Sequence, residues 1–484
     1  MKNLGDIIQA VEVIRQKGPD NPVLTGICQD SREVVEGSLF VAVRGTRVDG
    51  HQFISRAVQQ GARAVVCEKL PGEIHAGVSY LKVKNSAVAL GLLASAWHDH
   101  PSSRLRLVGV TGTNGKTTIA TLLYNLFIRL GYPAGLVSTI EYRVLEKSLP
   151  ARYTTPDALI LNALLAEMVG AGAEYVFMEV SSHAAAQHRI SGITFSGGIF
   201  TNITRDHLDY HGDFDEYIRA KKSFFERLPA GAFALVNADE KHSRVMVQNT
   251  DALVRTFGLN RLADYRGKIV ETSLEGMMLR IDGYELWTPM IGHFNASNLL
   301  AVYGAALEMQ QNSEEVVRTM SELRPVRGRF ETLRGKDGKM AVVDYAHTPD
   351  ALENVLKTLS RFRDKTHRIL TVVGAGGDRD RGKRPMMAKI AADYSDRVIL
   401  TSDNPRTEDP EVILDDMEKG LDETEKKRTV RITDRKEAIR AALMMAAKGD
   451  IVMVAGKGHE TYQEIAGMRY PFNDREVIRE FMKS

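Results

Sequence analysis

The chain has 484 residues, 43% hydrophobic and 26% charged, with a formal net charge of +2, which fits an ordinary globular protein of about three domains. So balanced a charge excludes a dedicated nucleic-acid binder, which carries a strong basic excess. The two cysteines, Cys28 and Cys67, sit in apolar stretches and exclude a disulfide framework, and no apolar run reaches the ~18 residues of a membrane span.

Residues 1–16, MKNLGDIIQAVEVIRQ, read as an amphipathic helix and not a signal peptide, because Asp6 and Glu12 interrupt the apolar pattern. A cytoplasmic monomer without nucleic-acid partners or membrane insertion is the expectation. Up to residue 100 short helices and strands alternate, as in a small α/β domain (1–100), with strands expected within 37–45 and 62–68. The polar, proline-bearing junction 97–104 marks a boundary. Strands and helices then alternate to about residue 310, the pattern of a doubly wound parallel sheet in a central domain (101–326). A second polar junction, LRPVRGRFE at 323–331, opens a third domain (327–484). There MAVVDYA, RILTVVGAGG, DRVILTSDNP and DIVMVAGKGHE are strand-then-turn units, and residues 385–394 and 436–447 read as helices.

The most specific local signal is LRLVGVTGTNGKTT, residues 105–118. The apolar run Leu105, Leu107, Val108 and Val110 reads as a buried strand, and residues 119–130 as a helix. Between them lie Gly112, Thr113, Asn114, Gly115, Lys116, Thr117 and Thr118. Glycines in that position let backbone N–H groups close around phosphate oxygens, the helix N-terminus adds positive charge, the lysine reaches the terminal phosphates and the threonine hydroxyl ligates Mg²⁺. The spacing departs from GxxxxGK[ST], since Val110 stands where the first glycine belongs.

Further clusters follow strand runs, where open α/β sheets bind ligands. EVSSH, starting at Glu179, offers a carboxylate for Mg²⁺ or a helix cap. Residues 201–225 pack His207, Asp209, His211 and Asp213 into seven positions; this is a solvated loop or a site, with no cysteine or HExxH spacing to support zinc. Lys221 and Lys222 open a helical segment and read as surface charge. Asn298 in GHFNASN suits an adenine edge or an N-cap, and Asp344 in VDYAHTPD suits a ribose or γ-phosphate contact, with a plain helix cap from Thr348 as the alternative. In the last third, GAGGDRDRGKRP, SDNPRTE and AGKGHE combine arginines that fork onto carboxylates with Asp403 and Glu460, which take an ammonium; together they fit a zwitterionic amino acid.

In their order and spacing, DSR (30–32), TGTNGKTT, TTPD (154–157), EVSSHAAAQHR, TNITRDHLDYHG, Ala220–Lys221, GHFNASN, RGRFE, DYAHTPD, DNPR and GKGHE resemble the Mur ligase family over nearly the whole chain. The resemblance implies a uridine-nucleotide domain, a central P-loop-type ATPase and a Rossmann-like C-terminal domain. It implies ATP and Mg²⁺, and an amide-forming reaction on a nucleotide-linked muramoyl dipeptide. ATP would be held by residues 112–118 with Asn298 and Asp344. Lys116, Glu179, His207 and Lys221 would be catalytic, with Thr117, Glu179, His207 and Lys221, as a carbamate, at the metal. Ser31, Thr46, Arg47, Val48, Tyr153, Thr154, Thr155, Ser181, Gln187 and Arg189 match contacts to the nucleotide-linked dipeptide. Arg379, Asp403, Asn404, Pro405, Arg406, Gly456 and Glu460 match a diaminopimelate pocket. Arg406 favours that amino acid over lysine, because its fork suits a second carboxylate that lysine lacks. The rivals are the lysine-adding relatives, folylpolyglutamate synthase of the same superfamily (against which DSR and DNPR argue) and a P-loop regulator that binds nucleotide without ligating anything.

Overall fold

The computed structural model describes residues 1–46, 48–363 and 366–482. The strands fall mainly into three sheets. The first has four parallel strands, Gly26–Cys28, Ser38–Val41, Ala64–Cys67 and Ser79–Val83, with Val13–Lys17 antiparallel at one edge. Residues 1–16 are therefore not one helix: the helix is Leu4–Ile8, and the chain then turns into the edge strand. The β-branched Val11, Val13 and Ile14 favour strand, and pairing with Ser79–Val83 satisfies the backbone.

The central sheet has eleven strands. Its parallel block runs in the order Ala134–Val137, Tyr175–Glu179, Arg106–Thr111, Gly197–Phe200, Phe233–Asn237 and Leu253–Gly258. Arg106–Thr111 thus lies between two strands that are later in sequence, at the point where the strand order diverges in both directions. This is where such sheets bind ligands. The expected alternation of strand and helix stops at Gly258. Tyr265–Thr272, Met277–Ile281 and Tyr284–Thr288 form a meander, whose last two strands join through Asp282 and Gly283, both at positive φ (45° and 94°). An Asp-Gly pair in that conformation closes a two-residue hairpin, which the reading of steady alternation passed over. A second hairpin, Glu141–Val144 with Lys147–Pro150, covers the opposite edge.

The third sheet runs Glu331–Arg334, Met340–Asp344, Ile451–Ala455, Ile369–Val373, Arg397–Leu400 and Thr429–Arg431, parallel throughout except for its first pair. The four strand-then-turn units read from the sequence are contiguous in it, so their carboxyl ends share one rim. Helix Pro349–Phe362 packs Leu352, Val355, Leu356 and Leu359 inward at helical spacing. Among the described residues no helix is long and apolar enough to cross a membrane.

Candidate active site

The rim of the third sheet faces the switch point of the central sheet across a cleft of about 940 Å³. On the central side, the turn after Arg106–Thr111 leads directly into helix Lys116–Arg129. Gly115 has φ of 90°, and a Cβ there would lie 2.6 Å from the Asn298 amide oxygen. No larger residue fits between turn and helix. Thr201 Oγ1 donates to the Asn114 carbonyl (2.6 Å), and Asn114 N–H donates to the Asn202 side chain (2.9 Å). The cradle is therefore braced by the neighbouring strand's loop. Thr113 shares a hydrogen bond with the Tyr217 hydroxyl, and Thr117 and Thr118 are buried in the first helical turn.

Two lysines meet at this turn. Lys116 Nζ donates to the Gly112 and Thr113 carbonyls, each at 2.9 Å. Lys221 Nζ donates to the same Gly112 carbonyl, also at 2.9 Å, and lies 4.6 Å from the centre of the Tyr217 ring. The reading of Lys221 as surface charge is wrong. Its helix, Phe214–Phe225, starts earlier, with Asp213 as cap, so helical spacing turns Tyr217, Lys221, Phe224 and Phe225 inward, while Lys222 pairs with Glu226. Lys221 is 1% exposed, and among the described residues no ion pair engages it. Burial, and next the Lys116 charge, hold its pKa well below the ordinary lysine value against the opposing pull of Asp206. Desolvation of this kind favours the uncharged amine over the ammonium.

Glu179 ends its strand buried, one carboxylate oxygen accepting from Thr139 N–H (2.7 Å) and Thr139 Oγ1 (3.0 Å). His207 has φ of 55°, and its backbone N–H is tied to Asp206 (3.0 Å). Its ring stands edge-on to His183 at 4.8 Å. Burial drives its pKa well down, with Asp206 opposing, so the imidazole is in the neutral form that ligates metals. Among the described residues no three His, Cys, Asp or Glu side chains form a self-contained metal cage. A buried carboxylate and a hydroxyl beside a phosphate cradle is instead the sparse oxygen set that magnesium uses when substrate phosphates complete its shell.

A polar wall continues from Glu179. The hydroxyls of Thr139 and Thr154 lie 3.0 Å apart, with Thr139 free to accept, Thr155 Oγ1 donates to the Glu179 carbonyl (2.7 Å), and Ser181 caps the helix Ser182–Ala186. Arg189 donates to the Thr155 carbonyl (2.8 Å) and to Gln187 Oε1, and lies 5.6 Å from the ring of the exposed Tyr153. Gln187 stands behind this wall, donating to Tyr210.

On the facing rim, Asp344 accepts from Phe330 N–H (2.6 Å), and burial lifts its pKa to about 6. Arg379 lines the cleft. Arg406 sits at φ of 53°, with Nη1 donating to the Gly377 carbonyl (2.6 Å) and its own N–H to the Glu464 carbonyl. Asn404 Nδ2 donates to Glu460 (2.8 Å). Gly456 leaves room for Asp403, whose Oδ2 would be 2.4 Å from a Cβ there. Asp403 and Glu460 do not stand as a free acidic pair: the fully buried Lys457 already bonds Glu460 (2.7 Å).

The cleft thus joins the 113–118 turn, Thr154, Thr155, Glu179, His207, Asn298 and Asp344 to Arg379, Asp403, Asn404, Arg406, Gly456 and Glu460. Gly112, Lys221, Gln187 and Pro405 are not part of its lining. Ser31, Thr46 and Val48 are also outside it; Ser31 is buried at the start of a turn capped by Asp30. Arg47 lies outside the described residues. Sequence reading gave no site role to Arg329, whose Nη2 donates to Thr117 Oγ1 (3.1 Å) while its guanidinium lies 4.3 Å from the centre of the Tyr345 ring. RGRFE held that signal. Nor did it single out Thr139, for which no local signal exists, or the Asn114–Asp350 hydrogen bond (3.1 Å) between the cradle and the helix Pro349–Phe362.

Comparison with known proteins accords with this arrangement. Residues 23–98 match the Mur ligase family catalytic domain, 110–306 the Mur ligase middle domain, and 328–458 the Mur ligase glutamate ligase domain. The chain is 55% identical over 481 residues to the UDP-N-acetylmuramoyl-L-alanyl-D-glutamate–2,6-diaminopimelate ligase of Parabacteroides distasonis, covering 99% of each chain. It is 52% identical over 477 residues to the protein of that name from Bacteroides thetaiotaomicron, again covering 99% of each. A solved structure of a ligase of that name superposes with TM-score 0.69 at 35% identity, covering 99% of this chain and 98% of the other. UDP-N-acetylmuramoylalanyl-D-glutamyl-2,6-diaminopimelate–D-alanyl-D-alanyl ligase from Acinetobacter baumannii shares the fold at 18% identity, with TM-score 0.63, over 100% of this chain and 98% of its own.

Proposed function

This chain belongs to the Mur ligase family, and from that membership we infer that it is the ATP-dependent ligase of peptidoglycan precursor synthesis that adds diaminopimelate to UDP-N-acetylmuramoyl-L-alanyl-D-glutamate. The observation that carries the reading is the single cleft lined by both the Lys116 turn and the Arg406 turn. A ligase needs a phosphoryl donor, an acid and an amine within reach of one another.

The side-chain carboxylate of the D-glutamate attacks the γ-phosphorus of ATP, ADP leaves, and an acyl phosphate forms. The amine of meso-diaminopimelate adds to the acyl carbon, the tetrahedral intermediate expels phosphate, and the nitrogen loses a proton. The cradle amides and Lys116 balance charge on the transferring group. Magnesium, held by Thr117 and Glu179 with His207 and a carbamate on Lys221 nearby, would supply further neutralisation there. The lowered proton affinity of Lys221 supports carbamylation, because an amine adds to carbon dioxide only when unprotonated. Asn298 and Asp344 serve the nucleoside. Ser31 and the 46–48 loop serve the uridine nucleotide, and Tyr153, Thr154, Thr155, Ser181, Gln187 and Arg189 the dipeptide. Arg379, the 403–406 run, Gly456 and Glu460 receive the amino acid. The working unit is a monomer, placed in the cytoplasm where ATP is available. The three domains divide near residues 100 and 326.

The test is transfer of a heavy-oxygen label from the substrate carboxylate to released phosphate, with diaminopimelate and lysine assayed as competing amines. Label transfer with diaminopimelate as the preferred amine is expected; unlabelled phosphate excludes the acyl phosphate, and equal use of lysine excludes the assigned amino acid.

A further inference from the structure

We propose that Lys457 is a positioning residue for the incoming amino acid, its ammonium clamping the Asn404 amide and the Glu460 carboxylate in the arrangement that receives diaminopimelate. The inference rests on the ligase reading above and adds a side chain that does not itself touch substrate.

Lys457 sits between Gly456 (φ 111°) and Gly458 (φ 52°), in the turn that leaves strand Ile451–Ala455. It is fully buried and does not line the cleft, whereas Asn404 and Glu460 do. Its Nζ donates to Asn404 Oδ1 (3.0 Å) and Glu460 Oε2 (2.7 Å), and Asn404 Nδ2 donates to the same Glu460 oxygen (2.8 Å). The three groups close a ring across two turns whose strands have another strand between them. Asn404 Oδ1 also accepts from Glu464 N–H (2.9 Å), and Gln463 donates to the Asp403 carbonyl (2.7 Å). The ring is therefore fixed from behind.

The arrangement has two consequences. The amide of Asn404 has one orientation, because an ammonium donates and can hold only the oxygen. And Glu460, in a dry site, keeps a cation behind it, so it can meet a substrate ammonium as a carboxylate. Burial pushes its carboxyl pKa up and Lys457 is the main force pulling it down. The other titratable or charged groups facing it are Asp403, Arg435, Tyr345 and Tyr462. Arg435 is engaged with Asp474 at 2.7 Å, so Lys457 is the cation that answers Glu460.

Lys457→Met keeps the length and removes the charge. KM for diaminopimelate should rise about 10- to 100-fold, the loss expected of a charge-assisted contact, while KM for ATP and for the nucleotide-linked dipeptide stays unchanged. The raised KM should fall again as pH is increased, because Glu460 then ionises without help; the wild type should show a smaller recovery. An unchanged diaminopimelate KM overturns the proposal, and so does a parallel rise in all three KM values, which is the mark of a merely structural residue. Should Lys457→Met fail to fold, Lys457→Met with Glu460→Gln leaves no lone buried charge. Its diaminopimelate KM should equal that of Glu460→Gln alone, and a further loss in the double variant overturns the proposal. A wild type that forms no product from diaminopimelate sinks the ligase reading and this inference with it; an active wild type with an indifferent Lys457→Met sinks this inference alone.

Discussion

Two buried lysines, one on each side of the cleft, have opposite fates. Lys221 bonds a carbonyl and lies over Tyr217 beside Lys116, with no carboxylate at contact distance among the described residues. Lys457 is as deeply buried but bonds Glu460 directly. The cradle side buries its lysine short of negative charge, and both effects lower its proton affinity. The facing rim sets a carboxylate against its lysine, and the contact ties Lys457 to Glu460 and Asn404 as a brace. Burial alone does not assign a role; the sign and distance of the nearest charge do.

The contrast can be tested from its largest expected effect downward. On the rim, Arg435 and Asp474 are both fully buried, with Arg435 also donating to the Ala455 carbonyl (2.9 Å). Arg435→Met leaves Asp474 alone in a dry site and should cost about 3–5 kcal/mol in denaturant unfolding. A loss no larger than that of an exposed pair would mean the rim is not held by compensated charge. On the cradle side, Lys221→Ala should lower kcat by about 10²–10³-fold, in the range of losing one electrostatic stabiliser. Its unfolding midpoint should barely drop, since no partner charge is orphaned, and bicarbonate or a small carboxylate should restore part of the rate. Full activity without rescue would remove the distinction between the two lysines.

Asp344 sharpens the comparison through pH. Burial raises its pKa from 3.8 to about 6. A raised carboxyl contributes stability that is complete below its unfolded pKa and is lost as pH rises through the folded value. Asp344→Asn carries no such proton, so it should gain on the wild type by up to ~3 kcal/mol between about pH 4 and pH 7 in paired unfolding curves. A constant gap between the two proteins would show that Asp344 is not held in a desolvated state. The smallest effect is at the mouth of the rim. Arg406→Ala should lower kcat/KM for diaminopimelate by about 10- to 100-fold, leave any use of lysine unchanged and spare KM for ATP. Equal loss with both amino acids would make Arg406 a brace for the Gly377 turn and not a reader of the second carboxylate.

Much of this was legible in the residues because it is local. Strand, glycine turn, Lys-Thr and helix follow one another within residues 105–130, and each is set by its neighbours. The four strand-end clusters of the last third were also readable, since apolar runs and turn residues mark them. The misreadings have definite causes. At residues 1–16 short-range amphipathicity competed with an edge pairing to residues 79–83, which the pairing won. At 265–288 the Asp282–Gly283 hairpin signal was overlooked. Lys221 reads as surface charge only if its helix starts at the lysine pair; the helix begins at Phe214, six residues before Ala220–Lys221.

The phosphate cradle, the main strands of the three α/β sheets and the chemistry available at each strand end follow from the residues alone, because glycine freedom, capping and apolar periodicity act over a few residues. Tertiary structure alone decided that Lys221 shares the Gly112 carbonyl with Lys116, that Arg329 reaches Thr117, and that Lys457 is neutralised by Glu460 behind Asn404. Charge state depends on what surrounds a group in three dimensions, and those surroundings are supplied by segments that meet only when the sheets close around the cleft.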